Sequence, residues 1–392
     1  MGKAAAIAAA IVIISLLTAG CWSRQEVNDI GIVTATGIDR TKSGGIKVSL
    51  LLAVPRTVGM SGQAGGSGEI ENTAGWVISE EGETIMDAFR NIQKKLPRNI
   101  FYPHNRAIVI GENLARNDTF TLMDFFQRSR QTQMRSFVLF TKKEAADILR
   151  FKPKFEKLTA EIIKEEMKTG VNAHVRLNEF INMFMEDGQE AYAPRIEIVP
   201  SEIKSASKEE LNNLMQMGVG IMRDNRLVGW LNAEETRGLL WLRDEMEEGV
   251  ITVNIPEKRG GGKISGEVQK AHTKIKVYSV KNRLRVDVRV TTVINIFENQ
   301  SQISLKDLEK IAYVESLLEK DIEDRIRMSF KKAQQFNSDF VGIGRAIYKA
   351  SPGLWQQQQE NWNDKLADVE FQVSAKVNVE KIGMINEPIS VY

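Results

Sequence analysis

Two stretches in the C-terminal half alternate apolar and polar residues with a period of two. In the first, Leu284, Val286, Val288 and Val290 alternate with Arg283, Arg285, Asp287 and Arg289. In the second, Val369, Phe371, Val373, Ala375, Val377 and Val379 alternate with Glu370, Gln372, Ser374, Lys376, Asn378 and Glu380. Successive strand side chains point to opposite faces, so each stretch must lay one face on a core and the other in water. Between them Ser304 and Asp307 open a long helix, along which Leu308, Ile311, Leu318, Ile322, Ile326 and Phe330 recur at helical spacing. This succession predicts an α+β domain of antiparallel strands with the long helix packed across the sheet.

The same half begins with a strand around Gly218–Met222, a turn at Asp224-Asn225, and a helix to about Glu247 capped by Asn232 with Glu235. Upstream, Ile30–Asp39 and Ile46–Val54 read as a hairpin around Lys42–Gly45. The glycine-rich run Gly59–Gly68 is a solvent loop, because no strand and helix flank it to cradle phosphate. A strand at Trp76–Ser79, a helix over Thr84–Leu96, a strand at Arg106–Ile110, a helix near Leu114–Gln127 and a strand at Ser136–Phe140 predict a mixed sheet covered by helices. Thr141–Asp187 reads as mainly helical, with Thr141 and Glu144 as a capping box and Pro153 as a breaker, so 141–190 is a candidate separate helical unit. Tyr192–Pro200 is extended, and the polar tract Ser201–Lys208 beyond it marks a domain boundary. The expected plan is multi-domain: a segment 1–20, an N-terminal α/β domain over 21–200 and a C-terminal α+β domain over 201–392.

A hydrophobic content of 42% with 27% charged residues is that of a folded chain, and a net charge of +2 gives no global attraction for nucleic acid. The single cysteine, Cys21, excludes an internal disulfide and a cysteine-based zinc site. His104, His174 and His272 lack the paired spacing of metal ligands, and no G-x-S-x-G elbow is present. The acidic pairs Glu80-Glu81, Glu165-Glu166 and Glu247-Glu248 could serve as acid and base in a glycosidase, but adjacent carboxylates are far more often solvated surface, so no catalysis, cofactor or metal is expected. Lys274, Lys276, Lys281, Arg283, Arg285 and Arg289 make one strand face locally basic, suited to anionic headgroups, an acidic partner or plain solvation. Trp355 and Trp362, flanking Gln356–Gln359, are candidates for an interface anchor or a helix-end cover.

At the N-terminus, Met1-Gly2-Lys3 supplies a short positive segment and Ala4–Leu17 an uncharged apolar one. Leu17-Thr18-Ala19-Gly20-Cys21 follows and resembles the lipobox of bacterial lipoproteins, although Thr18 stands where that motif prefers Leu or Val. The stretch is shorter than the roughly 20 residues that span a bilayer. The expectation is a cleaved signal and a mature chain starting at Cys21, carrying an S-diacylglycerol and an N-acyl group. Each buried methylene contributes about 0.8 kcal/mol to such anchoring.

Cys21-Trp22-Ser23-Arg24-Gln25-Glu26-Val27-Asn28-Asp29-Ile30, leading into Ile32–Asp39, resembles the mature start of the Ger(x)C family, the lipoprotein C subunits of nutrient germinant receptors in endospore-forming bacteria. Val314–Ile322, Ser338–Tyr348, and Trp355 before Trp362 resemble the same family, so the likeness spans almost the whole chain. It implies a non-enzymatic subunit acting with membrane-embedded A and B subunits on the outer face of the spore inner membrane. It carries over a chemical role for Cys21 alone, with Asp339, Gly342, Gly344, Trp355 and Trp362 as candidate interaction residues. Gly342 and Gly344 also suit a tight bend after the long helix. Two other readings compete: a solute-binding lipoprotein of a transporter, which needs a polar and aromatic cleft between domains, and a cell-wall hydrolase, for which the chain offers no constellation.

Overall fold

The structure, a computed structural model, describes Gly2 and residues 29–54, 75–117, 119–129, 132–153, 156–169, 172–201, 212–280 and 283–381. Apart from Gly2, the expected signal segment 1–20 lies outside the described residues, as do Cys21, the Gly59–Gly68 loop and Lys281.

The strands are β1 (Ile30–Arg40), β2 (Ile46–Ala53), β3 (Gly75–Gly82), β4 (Asn99–Phe101), β5 (Ala107–Gly111), β6 (Phe137–Thr141), β7 (Tyr192–Pro200), β8 (Asn212–Arg223), β9 (Arg226–Leu231), β10 (Val250–Asn254), β11 (Lys263–Val280), β12 (Arg283–Asn299) and β13 (Glu370–Lys381). Helices α1 (Ile85–Lys95), α2 (Glu112–Asn117), α3 (Phe120–Arg128), α4 (Ala145–Leu149), α5 (Thr159–Glu166) and α6 (Leu177–Met185) lie among the first seven strands. Later come α7 (Ala233–Leu242), α8 (Leu308–Phe336), α9 (Ile343–Ala350), α10 (Pro352–Gln358) and α11 (Trp362–Lys365).

Among the described residues the strands form two sheets. The larger has the order β3-β2-β1-β5-β6-β7-β8-β9, with β4 also paired to β1. Its centre, β1-β5-β6-β7, is parallel and its flanks are antiparallel hairpins. Every residue of β5 and β6 is buried, as a parallel sheet covered on both faces requires. On one face, α1, α3 and α6 contribute Ile85, Ile92, Leu122, Phe126 and Phe180 to a core that runs on into the second sheet. On the other face, α4 and α5 bury Ala145, Ile148, Ala160 and Ile163 against Val109, Leu139 and Ile196. Residues 141–190 therefore do not stand apart as a helical unit. Their short helices are the cover of this sheet, because none is long enough to bury its apolar face alone.

The pairing also departs from the boundary expected at Ser201–Lys208. β7 and β8 lie on either side of it and pair antiparallel from Tyr192↔Ile221 to Pro200↔Asn212, so the strand around Gly218–Met222 belongs to the first sheet. Asp224 and Asn225, both at positive φ, turn β8 into β9. Thr141 is not a helix cap, being the last residue of β6, and Glu144 makes no side-chain cap bond. Asp39 of β1 reaches across instead and accepts the N–H groups of Ala145 and Ala146 at 2.8 and 3.2 Å.

The smaller sheet has the order β10-β11-β12-β13. Its first two pairings are antiparallel as expected, but β12 and β13 are parallel. The reason is α8, whose 29 residues carry the chain back by about 43 Å before β13 begins. The buried stripe of α8 runs from Val314 through Leu318, Ile322, Ile326 and Phe330 to Ala333, while Leu308 is 81% exposed, so the stripe starts later than the sequence pattern suggests. Phe330 stacks on Phe371 at 3.9 Å between centroids, and α7 packs against α8 from the other side. The capping box of Asn232 and Glu235 forms, and α7 ends at Leu242.

The helix also closes the open edge of β13. Glu315, Glu319 and Glu323 accept the N–H groups of Val379, Val377 and Ala375 at 2.9, 3.1 and 3.1 Å. Four helical residues rise about 6.0 Å and two strand residues about 6.6 Å, so three glutamates one turn apart stay in step with every second strand residue. Among the described residues no helix is long and apolar enough to cross a membrane.

Candidate functional site

The five residues singled out in the C-terminal half converge on one buried junction. After α8 the chain closes through Asn337 in the left-handed conformation, at φ 46°, and Asp339 follows with its side chain fully buried. Its Oδ1 accepts the N–H groups of Gly342 and Ile343 at 2.8 and 2.9 Å, and its Oδ2 those of Gly344 and the Trp362 indole, both at 2.7 Å. Gly342, at φ 86°, makes the bend that turns these donors onto one carboxyl group. Asp339 thereby caps the first turn of α9 from outside it, where the helix dipole favours negative charge. Burial pushes the carboxyl group upward, and these four donors pull it back only in part.

Trp362 and Trp355 meet edge to face at 5.6 Å and are 6% and 4% exposed. Their rings are largely buried, with Trp362 closing over the start of α9, and both border a cleft of about 720 Å³ between the Asp187–Glu190 turn and Gln359–Asp364. Asp339, Gly342 and Gly344 are likewise buried, so none of these three presents a side chain to a partner.

What these residues meet is the other half of the chain. A Cβ placed on Gly344 would lie 2.7 Å from the Gly188 Cα and 2.7 Å from Trp355 Cζ3, so the two backbones touch because neither glycine has a side chain. Arg345 N donates to Gly188 O at 2.7 Å, Glu190 N to Asp339 O at 2.9 Å, and Ser338 Oγ to Met222 O at 2.6 Å. Asn363 bridges further, donating to Glu190 Oε1 at 2.6 Å. Burial raises the Glu190 carboxyl to about 7, opposed by Asn363 and the Asp224 N–H and assisted by the charges of Asp224 and Asp339.

Beside this junction lies a cleft of about 370 Å³ between α6, the end of α7 and α9. Arg243 is its charged centre: it donates to Glu245 at 2.9 Å and to Phe340 O at 3.1 Å and sits 5.0 Å over the Tyr192 ring. The Tyr192 hydroxyl donates to the other Glu245 oxygen. Arg345 pairs with Glu186 at 2.7 Å. Glu186 and Glu245 are thus engaged by arginine and tyrosine donors, an arrangement that ties α6, the end of α7 and α9 together.

Gly188, Glu190, Tyr192, Arg243 and Glu245 were missed in the sequence. The Asp187-Gly188 turn signal is visible there, but nothing local marks it as the contact of Gly344, 156 positions away. The three histidines make separate contacts: His104 lies against Phe101, His174 lines the cleft, and His272 bonds Asp244 at 3.0 Å. Among the described residues no group of three or more His, Cys, Asp or Glu is placed to hold a metal. On the basic strand face, Lys274 stands opposite Arg289, whereas Asp287 faces Lys276 and pairs with Arg285 at 2.8 Å, which neutralises part of the patch.

The fold and junction can be set beside known proteins. Residues 23–198 match the model of the spore germination protein N-terminal domain, and residues 217–383 match the spore germination B3/GerAC-like C-terminal model. Spore germination protein KC of Bacillus subtilis (strain 168) is 25% identical over 390 residues, covering 94% of both chains. Spore germination protein B3 of the same organism is 23% identical over 381 residues, covering 95% of this chain and 96% of that one. The crystal structure of the GerBC protein shares the fold with a TM-score of 0.54 at 19% identity, covering 88% of this chain and 96% of that one. These matches define the class as spore germination proteins. The chain belongs to the Ger(x)C family.

Proposed function

We propose that this protein is the lipoprotein C subunit of a spore nutrient germinant receptor, tethered through an S-diacylglycerol and N-acyl group on Cys21 to the outer face of the spore inner membrane. It acts without catalysis, by holding membrane-embedded A and B subunits in an assembly competent to signal. The observation that carries this reading is the pair of family matches covering residues 23–198 and 217–383, whose two segments are joined at the junction by Glu190 N–H on Asp339 O and Arg345 N–H on Gly188 O. The engaged state of the junction's carboxylates supports a structural role for them. The solute-binding alternative gains little from the 370 Å³ cleft, because its aromatic ring, Tyr192, and its buried cation, Arg243, are both committed to Glu245.

The test is germination of spores carrying Cys21→Ala, followed by loss of optical density after nutrients and after dodecylamine, which bypasses receptors. A lost nutrient response with a normal dodecylamine response supports the reading. An unchanged nutrient response, with the protein present at normal level and no lipid on it, overturns the anchored-subunit assignment.

A further inference from the structure

A groove of about 610 Å³ runs between α1 and α3 on the helical face of the first sheet, away from the junction. Its floor is a continuous aromatic surface: Phe89 stacks on Phe125 at 5.7 Å and meets Tyr102 edge-on at 5.8 Å. Met86 stands at its side and is 61% exposed, so the concavity opens to the outside as apolar surface. Its rim carries two guanidinium groups, of which Arg128 is shared with both oxygens of Asp124 at 2.8 and 2.9 Å and Arg90 is the one uncompensated among the described residues. Both are exposed. An apolar trough with guanidinium groups at its edge matches an amphiphile with a hydrocarbon tail and an anionic head.

The place where the chain enters the fold identifies the source of that amphiphile. Ile30, the first residue of β1, pairs with Asn99, the neighbour of Ile100, which lines the groove. Cys21 precedes Ile30 by nine residues, a span of at most about 30 Å. A lipid on Cys21 therefore tethers the Ile100 end of this groove within about that distance of a bilayer.

We propose that the α1–α3 groove takes an acyl chain of an anionic bilayer phospholipid, with the lipid phosphate between Arg90 and Arg128. The proposal rests on the anchored reading above. It makes the N-terminal half seat on the membrane in one orientation instead of swinging on its tether.

The test uses the full chain, extracted from membranes and reconstituted into vesicles of phosphatidylcholine with or without phosphatidylglycerol. Because Cys21 is blocked by its lipid, Met86→Cys gives a single site for an environment-sensitive fluorophore. The expected result is a blue-shifted emission, quenched several-fold by doxyl-labelled phospholipid, in vesicles containing phosphatidylglycerol. The shift is lost in phosphatidylcholine alone and on adding Arg90→Glu with Arg128→Glu. A fluorophore at Tyr348→Cys, on α9, stays unshifted. Absence of a shift on phosphatidylglycerol vesicles overturns the proposal. So does a shift that is equal in both vesicle types and unquenched, which assigns the groove to the chain's own acyl group. The intact mass reports the lipid on Cys21 separately. If that lipid is missing, the Cys21→Ala, Met86→Cys chain on the same vesicles tests the groove alone.

Discussion

The indole N–H of Trp362 donates to Asp339 Oδ2 at 2.7 Å inside the protein, completing a set of four donors around one carboxyl group. Asp339→Ala leaves three of these buried donors without an acceptor, the Gly342 N–H keeping the Asp339 carbonyl at 3.2 Å, and a cost of about 3 to 5 kcal/mol is expected. Trp362→Phe removes one donor and keeps most of the ring, at about 1 to 2 kcal/mol. Urea unfolding of the two single variants and the double should give a double-mutant loss smaller than the sum; strict additivity would show that the bond contributes nothing.

The contact of Gly188 with Gly344 makes a second expectation. Gly344→Ala drives a methyl group into the Gly188 backbone and Trp355, and a loss of about 1 to 3 kcal/mol is expected. Limited proteolysis should cleave this variant faster than the parent chain around Asp187–Glu190, where the contact lies. A cleavage rate identical to that of the parent chain would mean that the contact does not hold the halves together.

Glu190 sets a pH dependence. Its carboxyl group is raised to about 7 in the folded chain against an ordinary value of 4.5, so between these pH values the folded state binds more protons than the unfolded state. Stability from this group is complete below 4.5 and is lost as pH rises through 7, by about 3 kcal/mol in all. Asp39, raised to about 6 by burial, adds a slope of the same sign between 3.8 and 6. Glu190→Gln retains an acceptor for Asn363 and the Asp224 N–H, both of which donate to one oxygen. The variant should match the parent chain at pH 4.5 and exceed it at pH 8; equal stability at both pH values refutes the assignment.

The glutamates along α8 give a fourth expectation. Replacing Glu315, Glu319 and Glu323 together with alanine should cost about 0.5 to 1 kcal/mol for each lost bond, whereas the triple glutamine variant, which keeps an acceptor oxygen, should lose less. Chemical denaturation separates the two, and equal midpoints would remove the role of the ladder.

Much of the local architecture was legible in the residues. The hairpin of Ile30–Asp39, the α8 stripe from Leu318 to Phe330, the alternation of Val286, Val288 and Val290, and the Asn232–Glu235 box all depend on neighbours within a few positions. What was not legible depends on distant choices. Thr141 and Glu144 have the spacing of a cap, yet Thr141 is drawn into β6 and Asp39, 106 positions from Ala145, takes its place. The parallel β12–β13 pair follows from the length and return path of α8, which alternation within either strand does not encode. Asp339 was singled out beside its glycines, but its burial follows from Gly188 and Trp362 arriving from elsewhere in the sequence.

The α8 ladder has a consequence for how other chains can approach. A strand from another molecule joins a sheet by finding vacant backbone donors, and those of Ala375, Val377 and Val379 are already taken by this protein's own carboxylates. Strand invasion at that border is therefore shut off from within. Among the described residues, the edges left for another chain to join by main-chain pairing are β10 and the outer strands of the larger sheet, and polymerisation of the smaller sheet through β13 is blocked before it can begin.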